Sequence, residues 1–517
     1  MVRKQMNGFL HAIERGRRMD YLIGLDIGTS QVKAVLFDMD GHELAVCSEP
    51  TEVATWSNCS EQDMMQVWAK SAACLKNLTQ HQNIDPSRIL AVGLSGQGEG
   101  LWLADSNGEP VQPAILWSDG RAADTVSLLP DSTIRRFTEI TYGKALPGGT
   151  MILLKWMADH YPERLEAAAA CYNCKDWVRY NLTGTSHTEY TDSSVTMLDF
   201  AQQEYAEELM TLLGIAEFRR LFPSLVRADE PAGYVTQSAS KMTGLKVGTP
   251  VSGGGLDVAV TALGIAAVNP GDIFLILGTT ACIGIVLDLK DADSTKGRFI
   301  SHPRSGLAIQ IMATMAGTPN IDWVTGNISL SQDFANIENE IRHVQPGCGG
   351  VIYHPYIGVA GERAPFYHPY AKAGFFGISA TTTRSELIRA VYEGVAFSVK
   401  DCLHDTSAKG HIHIAGGGSR SATWAQIIAD VCGREVISHV GSEFGAKGAA
   451  ILAYRCIHPE IPIEDITSHY CPEHDRWAPD ERNHALYAAY FHLYRRIRMV
   501  SDDLWTERHR ILTLSYQ

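Results

Sequence analysis

The chain has 517 residues, 45% of them hydrophobic and 20% charged, and its 44 basic and 58 acidic side chains leave a net charge of −14. That balance excludes a nucleic-acid binder built on a basic patch, and the apolar content excludes a disordered chain. Eleven cysteines scattered without tight spacing predict free thiols, the usage of a reducing compartment, so the expected location is cytoplasmic.

Residues 1–19, MVRKQMNGFLHAIERGRRM, are basic and lack the apolar run of a secretory signal. Acidic Glu14 and a second methionine at Met19 favour an N-terminal extension from an upstream start over a transit peptide. From Tyr21 the segments YLIGLD and QVKAVLF, a turn around Asp40 and Gly41, and a third apolar run read as an antiparallel meander. SEQDMMQVWAKSAACLKNLTQ follows, with Met64, Val67, Trp68, Ala72 and Leu75 at helical spacing. RILAVGLSGQ is a buried strand, and GLWLADSNGEPVQPAILW a short hairpin.

A second strand-turn-strand begins at Ile273. IFLILGTTACIGIVLDL repeats the layout of YLIGLDIGTSQVKAVLF: an apolar strand, Gly-Thr followed by Thr or Ser, and another apolar strand. Copies roughly 250 residues apart predict two homologous lobes, each near single-domain size, with a boundary near residue 265. The domains are therefore expected at 20–265 and 266–505. The apolar stretch from Ile273 to Leu287 is broken by Gly278, Thr279 and Thr280 and is shorter than the roughly 18 residues of a spanning helix.

In the second half, VIYHPYIGVAGERAPFYHPYAKAGFFGIS has no period and reads as a long ordered loop. TRSELIRAVYEGVAFSVKDCL is a helix whose cap, Thr383, forms a capping box with Glu386. HIHIAGGGSRSATWAQIIADVCG gives strand, glycine turn and helix, and FGAKGAAILAYRC a further helix opened by small residues.

No G-x-x-x-x-G-K-[ST] motif occurs, which excludes a P-loop site. SGQGEG matches part of a dinucleotide fingerprint, but a hairpin follows it where a pyrophosphate needs a helix N-terminus. Three glycine turns end strands instead: Asp26 to Ser30, Gly278 to Thr280 and Ala415 to Ser419. Each offers unobstructed backbone N–H groups of the kind phosphate oxygens need, although each taken singly reads first as a plain tight turn.

Their order resembles the ATP core shared by actin, the 70-kDa heat-shock proteins and sugar kinases. Within that group the chain resembles the FGGY carbohydrate kinases from about Tyr21 to about Tyr454. DIGTSQVKAVLFDMDG is similar to the family's first phosphate loop, LSGQGEGLWLADSNGEPVQPAILWSDGRA to its substrate segment, and VSGGGLDVAVTALG to its catalytic-aspartate segment. GERAPFYHPYAKAGFFGIS and the helix through Tyr392, Glu393 and Gly394 resemble its second signature, and KDWVRYNLTG a phrase of its N-terminal lobe. Leu153 departs from the pattern, since the family usually has lysine there.

The resemblance implies an α/β fold of two ribonuclease-H-like (actin-like ATPase) lobes with a cleft between them, closing on both ligands. It implies ATP and Mg²⁺ as cofactors, a small sugar or polyol as substrate, and neither nucleic acid nor membrane as partner; a homodimer is allowed. By resemblance Asp257 is the general base on the sugar hydroxyl, and Asp26 holds the metal. The terminal phosphates meet Gly28, Thr29, Ser30 and Lys33 from one lobe and Gly278 and Thr279 from the other, while Gly317, Gly417 and Ser421 lie near the adenosine. The substrate is read by Gln97, Gly98, Glu99, Trp102, Asp119 and Arg121, together with Asp257.

Glu99 bears on the choice of sugar. The resemblance puts His there in D-xylulose kinases, an acid in glycerol and erythritol kinases, and a base in the L-xylulose kinases that the chain otherwise resembles most. The wider resemblance makes an L-xylulose-type ketopentose the expected substrate, with erythritol or another small polyol as the alternative that Glu99 supports. An actin-like ATP-binding sensor or scaffold without kinase activity is the rival of another class. Cys171 and Cys174 form a lone C-x-x-C without a partner pair, and His411 and His413 read as ordinary strand residues.

Overall fold

The computed structural model describes residues 19–81 and 84–515, so the extension expected over residues 1–19 lies outside the described residues apart from Met19. The chain forms two compact units that are not sequence halves. The first takes the residues up to Asn269 with Val286–Gln310 and Gly441–Pro472; the second takes Pro270–Ile285, Ile311–Val440 and the residues from Glu473 on.

In the first unit the central strand Tyr21–Ile27 lies antiparallel to Gln31–Asp38 and parallel to Ile89–Gly96. Its residues are apolar almost without a break because helices cover both faces of the sheet. Alternate side chains serve different cores. Tyr21, Ile23 and Leu25 pack with Val67, Trp68 and Leu75 of the helix Met64–Thr79, which Asp63 caps by accepting from the backbone N–H groups of Met65 and Gln66. Leu22, Val35 and Ala91 instead meet Ala446, Ala449 and Ala450 of the helix Phe444–Ile457.

The small residues of that second helix have a steric cause. A Cβ on Gly24 would lie 1.8 Å from the Ala446 carbonyl oxygen, and one on Gly93 1.8 Å from that of Ala449. Gly448 likewise lets the helix approach Asp257–Gly264, since a Cβ there would come within 2.0 Å of the Val260 oxygen.

The second unit repeats the central pairing. Ile273–Leu277 is antiparallel to Ala281–Asp288 and parallel to Ile412–Ala415, and Val436–His439 and Glu473–Trp477 follow in the sheet. The helix Arg384–Leu403 carries the expected capping box of Thr383 and Glu386. The segment read as one long loop is not all loop: Ile352–His354 pairs antiparallel with Gly374–Phe376. Three-residue strands among prolines and glycines are too short to show a period. Among the described residues no helix is long and apolar enough to cross a membrane.

Candidate active site

Three segments of the first unit leave the sheet at one edge. Ile27 and Leu256 both pair with Gly96 in parallel register, so the turn after Ile27, the loop after Gly96 and Asp257 all follow the C-terminal ends of adjacent parallel strands. Open α/β sheets bind ligands at such an edge. The glycines make the crowding there possible: a Cβ on Gly98 would sit 2.3 Å from Leu256 Cδ1 and 2.6 Å from Asp192 Oδ1.

Two carboxylates dominate the electrostatics. Asp26 has Lys33 and Ser95 as its cross-strand neighbours, and its Oδ1 is shielded from solvent with no hydrogen-bond partner. Burial holds its carboxyl above the usual range, against the pull of Ser95 and Lys33 and with a further push from Glu443. Asp257 opens the helix Asp257–Gly264 as its first residue, where Leu256 takes the cap position, and its Oδ1 accepts from the Val258 N–H at 2.6 Å. Burial raises its carboxyl to about 7; the Asp26 charge adds to the shift, the Val258 amide opposes it, and Asp192 adds a smaller push. A carboxylate balanced there can take a proton near neutral pH.

The first glycine turn is tied to the neighbouring loop. Gly28 donates its N–H to the Gln31 oxygen at 3.0 Å, and Thr29 donates its hydroxyl to Gln97 Oε1 at 2.8 Å. Ser30 is exposed, while Lys33 pairs with Glu443 at 2.7 Å. Trp117, 48% exposed, donates its indole N–H to Thr29 Oγ1 at 3.1 Å. The structure brings this tryptophan to the site in place of Trp102, which is 0% exposed and belongs to the core beneath. Trp102 is a correction: its strand is buried on both faces, Trp102 in one core and Leu103 in another.

Asp119 and Arg121 face each other. Asp119 is buried and accepts from the Ser60 N–H (2.6 Å), the Arg121 N–H (2.8 Å) and the Arg121 guanidinium (2.9 Å), which also reaches Glu61 at 2.8 Å. The two side chains hold this loop together and are largely spent on each other. Glu99 stands at φ +56 between two glycines, a left-handed conformation uncommon outside glycine, and pairs with Arg298 at 3.1 Å.

Sequence reasoning missed a buried charge cluster. Lys175, from the KDWVRYNLTG phrase, is fully buried and pairs with Asp192 (2.9 Å), Asp176 (3.0 Å) and Glu189 (3.7 Å). Burial raises the carboxyls of Glu189, to about 7, and Asp192, against the pull of Lys175. Thr191 donates to Glu189 Oε2 at 2.6 Å and accepts from the Leu256 N–H at 2.8 Å, which anchors the residue before Asp257. The adjacent Cys171 and Cys174 are buried, and burial raises both thiols, that of Cys171 to about 12, which suits inert packing.

In the second unit three glycine positions gather at one sheet edge. Gly278 donates to the Thr280 oxygen at 3.0 Å and accepts from the Thr318 N–H at 2.8 Å. A Cβ on Gly317 would lie 2.5 Å from the oxygens of both Gly278 and Thr279, and one on Gly416 would lie 2.4 Å from the Leu277 oxygen. Gly417 opens onto free space. Ser421 is a different case. It is buried as the cap of Ala422–Cys432, accepting from the Trp424 N–H at 2.9 Å and donating to Glu338, so its hydroxyl is committed to the helix start.

Comparison with known proteins places the whole chain. Residues 21–264 match the N-terminal domain, and residues 273–456 the C-terminal domain, of the FGGY family of carbohydrate kinases. The chain is 31% identical to the erythritol kinase of Brucella abortus, over 94% of this chain and 97% of that one. It is also 31% identical to the L-xylulose/3-keto-L-gulonate kinase of Escherichia coli, over 84% and 87%. The crystal structure of xylulose kinase from Rhodospirillum rubrum superposes with a TM-score of 0.85 at 25% identity, covering 94% of this chain and all of that one.

Proposed function

Since the chain belongs to the FGGY family of carbohydrate kinases, we propose that it transfers the γ-phosphoryl group of ATP to a terminal primary hydroxyl of a ketopentose of the L-xylulose type, with Asp257 as general base. The observation that carries this reading is the shared sheet edge, where the Asp26–Ser30 turn, the Gln97–Glu99 loop and Asp257 emerge together. In the transfer Asp257 takes the hydroxyl proton, the hydroxyl oxygen bonds to the γ-phosphorus, and the bond to the β–γ bridging oxygen breaks with its electron pair leaving on ADP.

Phosphoryl transfer needs positioning and charge neutralisation more than covalent help from the protein. The Gly28, Thr29 and Ser30 turn and Lys33 bind terminal phosphate oxygens, and the Gly278–Thr279 turn offers backbone N–H groups of the same kind. Gly417, open to free space, leaves room for the adenosine, and Gly317 packs against the Gly278–Thr279 turn beside it. Asp26 fits a hard divalent cation, because a shielded carboxylate oxygen without a hydrogen-bond partner is the donor such an ion takes. Mg²⁺ held there would neutralise phosphate charge. Free thiols and the use of ATP support a cytoplasmic location.

One observation favours a small polyol as the second reading: Glu99 keeps an unpartnered oxygen, Oε1, to accept from a neutral hydroxyl. ADP release with a panel of pentuloses, pentitols and tetritols tests the proposal. Acceptor-stimulated release, strongest with one neutral sugar or polyol, is the expected result. ATP binding with no stimulation by any acceptor would replace the kinase reading with an actin-like sensor.

A further inference from the structure

Arg298 begins the strand Arg298–Ser301, within the part of the chain that belongs to the first unit, and has no role in the scheme above. Its Nη2 donates to Glu99 Oε2 at 3.1 Å. That contact links the strained acceptor loop to a residue far along the chain. The remaining polar atoms here are unusual in being shielded and unpaired: Glu99 Oε1, Arg298 Nε, Thr196 Oγ1 and Asp192 Oδ1 all lack a hydrogen-bond partner.

Glu99 Oε1 and Thr196 flank Gly149, and Asp192 Oδ1 lies beside Gly98, the residue before Glu99. A Cβ on Gly149 would lie 3.3 Å from Glu99 Oε1 and 3.5 Å from Thr196 Cγ2, and one on Gly98 would lie 2.6 Å from Asp192 Oδ1. Buried polar groups are nearly always satisfied, so several orphans together mark a place where a ligand supplies the partners. The set is two carboxylate acceptors, a hydroxyl that both donates and accepts, and one guanidinium donor. Hydroxyl and carbonyl groups of a neutral sugar satisfy such a set.

We propose that Arg298 is a specificity-determining residue that acts with Glu99. Its guanidinium holds Glu99 in the left-handed conformation and is itself occupied by that carboxylate, leaving Glu99 Oε1 to accept from a substrate hydroxyl. A sugar acid is rejected, because its carboxylate meets the Glu99, Asp192 and Asp257 carboxylates while the Arg298 guanidinium is already paired with Glu99. The inference rests on the kinase reading and narrows its substrate to uncharged polyhydroxy compounds.

The test compares the full-length protein with Arg298→Gln, Arg298→Lys, Glu99→Gln and the Glu99→Gln/Arg298→Gln pair. Acceptor KM, ATP KM and kcat are measured with neutral ketoses and polyols and with aldonic and ketoaldonic acids. Arg298→Gln raises the neutral-acceptor KM at least tenfold with the ATP KM unchanged, and Arg298→Lys recovers part of the loss. Glu99→Gln frees the guanidinium and raises the acid-to-neutral ratio of kcat/KM at least tenfold, and the double substitution removes that gain. Unaltered acceptor KM and selectivity in Arg298→Gln, or an equal loss of ATP affinity, overturns this inference alone. Absence of acceptor-dependent turnover in the unsubstituted protein overturns the kinase reading and this inference with it.

Discussion

Thr29 donates its hydroxyl to Gln97 Oε1 at 2.8 Å, joining the turn read as a phosphate loop to the loop read as the acceptor site. The link is part of a closed ring: Gln97 Nε2 donates to Gln62 Oε1 at 2.8 Å, and Gln62 Nε2 donates to the Thr29 carbonyl at 3.1 Å. Gln97→Ala breaks two sides of that ring at once. It lowers kcat/KM by about tenfold for ATP and for the acceptor alike, the size expected from a lost buried hydrogen bond or two. Steady-state kinetics varying each substrate in turn checks this, and an effect confined to one substrate would contradict the linkage.

The carboxyl of Asp257 at about 7 gives the reaction a pH signature. The ionised form is the base, so kcat/KM for the acceptor falls as pH drops through 7, by about fivefold from pH 7 to pH 6 and by about tenfold per further unit. A rate profile flat from pH 5.5 to 8 would remove Asp257 from that role.

The same group makes a stability prediction of opposite sense. Its folded-state value lies above the model-peptide value of 3.8, so between those values the native state keeps a proton that the unfolded state has lost. Its contribution to stability is fully present below the unfolded value and is lost as pH rises through about 7. Asp257→Asn keeps the neutral form at every pH, so its melting temperature exceeds that of the parent at pH 8 by roughly 2 °C or more, and the gap closes toward pH 4. Paired thermal melts at the two pH values measure it.

Gly93 makes a plain packing prediction. A methyl placed 1.8 Å from the Ala449 carbonyl oxygen meets rigid helix backbone, so Gly93→Ala pushes the helix Phe444–Ile457 off the sheet and costs about 3 kcal/mol or more. Urea unfolding gives the value directly. A substitution tolerated within 0.5 kcal/mol would mean that the helix and sheet are not in this contact.

Gly445 tests Asp26 as the proposed metal ligand. A Cβ there would lie 2.8 Å from Asp26 Oδ2, and the end of a side chain can rotate away where backbone cannot. Gly445→Ala therefore leaves the fold intact but turns Asp26, and the Mg²⁺ concentration at half-maximal rate rises about tenfold. An unchanged Mg²⁺ dependence would separate Asp26 from the metal.

The parts of the site visible in the sequence are those whose signal is local. Glycine turns after apolar strands, the Asp257 segment and the capping box each occupy a few consecutive residues, and the repeated hairpin shows as repeated pairing in the two units. What was missed depends on partners far along the chain: Trp117 reaches Thr29 across 88 positions, Arg298 reaches Glu99 across 199, and Glu443 reaches Lys33 across 410. No spacing rule connects such residues before the sheet assembles them. Trp102 was misjudged because an indole beside a substrate motif says nothing of which strand face it occupies. Ser421 precedes a helix start and could have been read from its sequence as the cap it is.

Asp257 carries the central claim, and one comparison tests it most directly: acceptor-dependent ADP release by Asp257→Asn beside equilibrium ATP binding by the same protein. The account predicts that turnover falls by about 10²–10⁴-fold while ATP binds within twofold of the parent. Turnover near that of the parent, with ATP binding intact, would contradict it.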